Sequence, residues 1–201
     1  MAVDLSPDVV PNSHRARKKR DTWRRINRVA LALVLERGID QVTVPEIAAG
    51  AEVSPRTLFN YFASKEDAVV GDDPDSAGEL AQRLRDRPAA EPLKVALCAA
   101  VRDQVAQMQT DPDLLRQRRQ VAHRHPELAA RLAGAGQRRE VALVEAAYER
   151  AGTDPATDIS TGLWARIALA AARSAFAQHR VAGEGHLGDR LEVAFGAAGL
   201  R

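Results

Sequence analysis

The chain has a single cysteine, Cys98, in 201 residues. One thiol cannot close an intramolecular disulfide or supply the paired thiolates of a structural metal site, and a reducing, cytoplasmic setting fits that shortage. Aromatic residues make up only 4% of the chain. Alternating β-branched runs are nearly absent while Ala, Leu, Val, Arg and Glu abound, which argues against a sheet protein and for an all-α fold. No apolar run is long enough to span a bilayer, and none follows the charges of "MAVDLSPDVVPNSHRARKKR", so neither membrane insertion nor export is expected. Gly-rich phosphate loops, nucleophile elbows and His-Glu-x-x-His patterns are missing. Cys98 lies in "VALCAAV", the setting of a buried thiol rather than a nucleophile. No catalytic residue and no cofactor is therefore expected. His123 and His125, without a second ligand cluster, read as loop histidines and not as metal ligands.

Hydrophobic residues reach 45%, enough to bury a core in one or two domains. The net charge of +2 is unevenly spread, because His14 to Arg28 holds eight cations and one acid. Such a block reads equally well as a solvated arm or as a contact for a polyanion.

Punctuation residues divide the chain into helices. After a leader expected to be disordered over residues 1–14, a first helix is predicted from about Lys19 to Arg37. Trp23, Ile26, Val29, Ala30, Leu33 and Val34 form its apolar stripe, and Gly38 stops it. Thr43 caps a second helix ending near Ala51, with Pro45 in its first turn and Glu46 completing a capping box. Ser54 caps a third, with Pro55 at its first position, running to Tyr61 or Phe62; Ser64 starts a fourth. The second and third helices are too short to be stable alone and must fold on the first. Val44, Ile47, Ala48, Ala51, Val53, Leu58, Tyr61 and Phe62 are the residues expected inside. Pro55, Arg56, Thr57, Phe59 and Asn60 are left on the outer face of the third helix. In a helix-turn-helix that face enters the major groove, where Arg suits a guanine, Thr a phosphate or a thymine methyl, and Phe a methyl or sugar. The plain alternative is a helical hairpin with Phe59 buried.

The stretch "TVPEIAAGAEVSPRTLFNYFASKEDAV" resembles the TetR-type transcriptional regulators. Thr43, Val44, Ile47, Ala48, Val53, Ser54, Thr57, Leu58, Phe59, Tyr61, Phe62, Lys65 and Glu66 match that pattern in order and spacing. The resemblance implies a DNA-binding domain over residues 15–67 and a helical regulatory and dimerisation domain over 68–201, with about nine helices in all. It implies DNA contacts from Thr43, from Ser54, Pro55, Arg56, Thr57, Phe59 and Asn60 around the third helix, and from Tyr61 and Lys65 at phosphates. Arg15, Arg17, Lys18, Lys19 and Arg20 become an arm along the DNA, adding salt-dependent affinity. Two positions depart from the pattern: Glu52 stands where Gly is usual in the turn, and Arg56 where a small residue is usual.

Beyond Ser64 the acidic, Gly- and Pro-containing "GDDPDSAGE" obscures the end of the fourth helix. Later helices are expected at about Glu91 to Gln109, Pro112 to His123, Pro126 to Ala151, Asp158 to Val181 and Leu187 to Ala198. The resemblance implies a homodimer through the last two helices, with Leu163, Ile167, Phe176, Leu191, Val193 and Phe195 supplying apolar area; the same helices read equally as the core of a monomer. It also implies a small-molecule effector of unknown identity among the central helices. Leu97, Val101, Val105, Met108, Val121, Leu143, Tyr148 and Trp164 are the candidate lining residues, although an apolar stripe is more often packing. Arg102 and Gln104 are candidate polar anchors, and "RQRRQ", Arg116 to Gln120, reads as a solvated face. The functional expectation is a palindrome-binding repressor of double-stranded DNA.

Overall fold

The structure is a computed structural model describing residues 10–71, 78–182 and 185–200. The described residues form ten α-helices and no strand: α1 (Val10–Arg37), α2 (Val44–Gly50), α3 (Pro55–Phe59), α4 (Lys65–Val70), α5 (Glu79–Arg85), α6 (Leu93–Met108), α7 (Pro112–Arg124), α8 (Pro126–Ala151), α9 (Ile159–Ala182) and α10 (Leu187–Ala197). None is long and apolar enough to cross a membrane. The chain divides into two compact units. One, the head, takes Met1–Asp72 with Arg116–Arg131; the other, the body, takes Asp73–Leu115 with Leu132–Arg201.

Most boundaries fall within a residue or two of the punctuation. The main exception is α1, which is helical from Val10 and not from Lys19. Residues 10–14 therefore belong to a helix, while the rest of the expected leader lies outside the described residues. The reason is local. Pro11 sits in the first helical turn, where a missing N–H costs nothing, and no glycine or proline follows it before Gly38. The fourth helix ends at Val70, because Gly71 turns left-handed at φ 62°. Residues 72–77 of the obscure acidic stretch are outside the described residues.

In the head, α1 packs against α2 and α4, and α2 against α3. Ile26, Ala30, Leu31 and Val34 of α1 are buried, as are Ile47, Ala48, Ala51, Leu58 and Phe62. The Trp23 and Phe62 rings lie 5.8 Å apart between centroids. Val44, Val53 and Tyr61, expected inside, are only half-buried.

In the body, α9 lies against α10 and α6, and α5 against α6. A stripe of small residues on α9, Ala165, Ala168, Ala171, Ala172 and Ala175, is buried and lets the neighbouring helices approach closely. Leu191 and Phe195 are each 1% exposed within this core. They are therefore packing residues of the chain itself and do not offer area to a second copy, which corrects one part of the dimer expectation. Leu163 and Val193 do stay exposed, at 47% and 68%, and Ile159 and Val181 more so. Asp158 starts α9, accepting from the Ser160 N–H at 2.8 Å and the Thr161 hydroxyl at 2.7 Å. The Ser160 hydroxyl, which also donates to this carboxylate, and then the Thr161 hydroxyl hold the Asp158 carboxyl well below the ordinary carboxylate range.

Candidate nucleic-acid interface

Thr43 and Glu46 close a capping box at the start of α2. The Glu46 N–H donates to the Thr43 hydroxyl oxygen at 3.4 Å, while the Thr43 N–H and hydroxyl donate to the Glu46 carboxylate at 2.9 and 2.7 Å. Arg37 adds an ion pair to the same carboxylate at 2.8 Å. The Thr43 hydroxyl, the Thr43 backbone and Arg37, in that order, lower the Glu46 carboxyl to a pKa of about 2. Thr43, assigned to phosphate by resemblance, thus already has a structural role in the free protein.

The turn that follows is a Schellman motif. The Val53 N–H donates to the Ala48 carbonyl at 2.9 Å and the Glu52 N–H to the Ala49 carbonyl at 3.0 Å. This arrangement needs a left-handed residue between the helices, and Glu52 supplies it at φ 53° without being glycine. Ser54 then caps α3: its hydroxyl accepts the Thr57 N–H at 3.0 Å and bonds the Thr57 hydroxyl at 2.8 Å. Pro55 occupies the first turn. Leu58 is fully buried beneath, and Pro55, Arg56, Phe59 and Asn60 are exposed, with Thr57 half-buried. Phe59 is 54% exposed, so the buried-hairpin alternative fails. The Phe59 ring thus stands in water on the same short helix as the exposed Arg56.

The resemblance puts Lys65 at a phosphate. Its ammonium donates to the carbonyls of Ile39 and Val42, at 2.8 and 3.0 Å, fastening the turn that leads into Thr43. Lys18, Lys19 and Arg20 are exposed on α1. Together with Arg15 and Arg17 they lie on a helix, so an extended arm preceding the first helix is not what this segment forms; the backbone is already committed to i to i−4 bonds.

The residues that hold α4 escape a reading of the sequence. Asn27, fully buried in α1, donates to the carbonyls of Ala68 and Val69 at 2.7 and 3.0 Å and accepts from Arg118 at 2.8 Å. Arg118 also lies over the Trp23 ring, 5.8 Å from its centroid. "RQRRQ" is thus not simply a solvated face. Arg131 pairs with Asp67 at 2.7 Å and Arg124 donates to the Leu35 carbonyl at 3.2 Å. The one clue in the sequence is an asparagine inside an apolar stripe, which a helix interior tolerates poorly without a partner.

Of the candidate effector residues, Leu97, Val101, Val105 and Leu143 are brought together in the packed core of the body, with Trp164 at its margin. Met108 and Tyr148 are half-buried, and the Tyr148 hydroxyl donates to the Asp158 carbonyl at 2.7 Å. Val121 is buried in the other unit and does not join them. Arg102 pairs with Glu192 at 2.7 Å, and Gln104 accepts from Arg83 at 3.1 Å, so both candidate anchors have partners on the surface. Among the described residues no cluster of His, Cys, Asp or Glu is arranged to hold a metal.

A capped two-helix unit with an open second helix, set against a basic first helix, defines a helix-turn-helix DNA-binding protein. Residues 26–69 match the family of bacterial regulatory proteins, tetR family, and residues 91–198 match the MftR C-terminal domain. The regulator TcmR of Streptomyces glaucescens is 42% identical over 90 residues, covering 44% of this chain and 39% of that protein. MftR of Mycobacterium tuberculosis is 33% identical over 93 residues, covering 46% of this chain and 47% of that one. The matches thus span less than half the length of these relatives. Among solved structures, the fatty acid degradation regulator FadR from Bacillus halodurans superposes with TM-score 0.56 at 18% identity, over 88% of this chain and 94% of that one. A TetR-family regulator from Mesorhizobium loti gives TM-score 0.54 at 18% identity, over 90% and 96%. The chain belongs to the TetR family of transcriptional regulators.

Proposed function

We propose that this protein is a cytoplasmic repressor that occupies a palindromic operator as a homodimer and releases it when a small molecule binds the body. The observation that carries the reading is the face of Arg56, Thr57, Phe59 and Asn60. It pairs a cation with an exposed ring on a helix held at its start by Ser54. Arg56 supplies guanine or phosphate contacts, Phe59 packs on a methyl or sugar, and the cations of α1 add sequence-independent affinity. A recognition helix as short as α3 gains affinity by reading two half-sites, and the exposed Ile159, Leu163, Val181 and Val193 on α9 and α10 favour a two-fold contact through those helices. Ligand response is assigned to the body, around Leu97, Val101, Val105, Leu143 and Trp164.

Selection of bound sites from random DNA with purified protein tests this reading. The expected result is a two-fold-symmetric motif about one helical turn between half-site centres, or a multiple of that spacing. Replacing Arg56, Thr57 and Phe59 with Ala should abolish selective binding. A folded triple variant that still binds as tightly and as selectively, or a strictly monomeric wild type, overturns it. A compound that raises Tm and also dissociates the operator identifies the effector.

A further inference from the structure

The side chain of Thr57 has two groups that could meet DNA, a hydroxyl for phosphate and a γ-methyl for a thymine. The geometry separates them. The Thr57 hydroxyl lies 2.8 Å from the Ser54 hydroxyl, the same oxygen that accepts the Thr57 backbone N–H at 3.0 Å. Both polar groups of Thr57 on this side of the helix are therefore directed into the cap. With Oγ1 in that staggered position, tetrahedral geometry puts the γ-methyl in another. Rotating the hydroxyl out to a phosphate would break a bond within the cap of a helix that spans only Pro55–Phe59, so a phosphate that met it would have to sit at the cap itself. Thr57 is half-buried at the edge of the exposed face that carries Arg56. Arg56 already carries the charge a phosphate needs, and Phe59 is apolar.

We infer that Thr57 reads DNA through its γ-methyl, against the 5-methyl group of a thymine in each half-site, while its hydroxyl serves the Ser54 cap. This rests on the DNA-binding reading above and adds to it the atom and the base. Thymine is distinguished from cytosine in the major groove partly by that methyl, and two apolar surfaces in contact lose water together.

The test replaces the thymines of the selected operator one at a time with deoxyuracil, which removes only the 5-methyl. For the wild type, one position should lose about fourfold in affinity per half-site, the size of burying one methyl, and about fifteenfold when both halves are changed. T57S, lacking the γ-methyl, should bind the natural operator about as weakly as the wild type binds the uracil one, and should not respond to that uracil. T57V should keep the sensitivity, since it keeps the methyl. Sensitivity in the wild type needs no variant to fold, so a wild type indifferent to uracil at every position overturns the inference. So does a T57S that binds as tightly as wild type. In both cases the operator is still bound; failure of the DNA-binding reading itself appears instead as no operator at all.

Discussion

The head and the body of this protein are both helical, yet they are held by different means. In the head, α2, α3 and α4 each start on a hydroxyl, from Thr43, Ser54 and Ser64, that accepts a backbone N–H three residues on. In the body, α5, α6 and α10 start on Gly78, Pro92 and His186 with no side-chain cap. Two helices that start in the body depart from these three, α9 on the Asp158 carboxylate and α7 on that of Asp111, which accepts the Leu114 N–H at 3.0 Å. The difference follows from what each unit must leave open. A recognition helix that keeps Arg56 and Phe59 in water forgoes burial on that face, so its stability shifts to bonds within its own first turn. Body helices bury long apolar stretches, and packing makes caps dispensable.

Substitutions that remove only one of these two supports sharpen the contrast. In the body, Leu191→Ala deletes a 1%-exposed side chain from the core. It should lower stability by about 2–5 kcal/mol, visible as a fall in Tm that does not depend on protein concentration. A loss confined to dimer dissociation would restore Leu191 to an interface role. In the head, Asn27→Leu should cost about 2 kcal/mol. It adds apolar surface at a fully buried site, but the carbonyls of Ala68 and Val69 and the Arg118 guanidinium all lose a partner. Hydrogen exchange should show the loss first at the end of α4. An Asn27→Leu protein as stable as the wild type would mean that packing, and not the Asn27 bonds, holds α4.

This contrast also explains which features are legible in the sequence. Caps announce themselves there because they act over three residues, so Thr43, Pro45 and Glu46, then Ser54 and Pro55, mark α2 and α3 by residue type and spacing alone. Helix ends later in the chain are likewise legible from Pro126, "AGTDPATD" and "AGEGH". Long-range partners leave no such trace. Arg118 and Asn27 are far apart in sequence, and nothing in "RQRRQ" distinguishes Arg118 from its neighbours until α7 is seen to place it beside α1. The commitment of Lys65 to the carbonyls of Ile39 and Val42 is hidden for the same reason. So is the burial of Leu191 and Phe195, since an apolar residue on a helix carries no mark of whether its neighbour is its own chain or another copy.

The capping box offers a pH-dependent version of the comparison. Folding lowers the Glu46 carboxyl from 4.5 to about 2, chiefly through the Thr43 hydroxyl. A depressed carboxylate contributes stability above its unfolded value, and that contribution is lost as pH falls from about 4.5 towards 2. The difference in Tm between wild type and Glu46→Gln should therefore be constant above about pH 5 and shrink through that window. A difference that stays constant down to the lower end would show that ionisation of Glu46 adds nothing to the box.

The smallest effect concerns Glu52, where the head departs from its own economy of local bonds. At φ 53° this residue occupies the left-handed position of the Schellman turn, a conformation costing a side chain with a Cβ roughly 1–2 kcal/mol. Glycine removes that cost but enlarges the unfolded ensemble by about 0.4–1 kcal/mol, so Glu52→Gly should gain only about 0.5 kcal/mol, or about 1–2 °C in Tm. Because Val53 N–H to Ala48 and Glu52 N–H to Ala49 are backbone bonds, the turn keeps its geometry and operator affinity should hold. A variant that gains stability but loses affinity would give the exposed Glu52 carboxylate a part in DNA recognition. Removing a negative charge should by electrostatics alone raise affinity for a polyanion, so a loss would mean that this carboxylate accepts a hydrogen bond from a base edge, such as a cytosine amine.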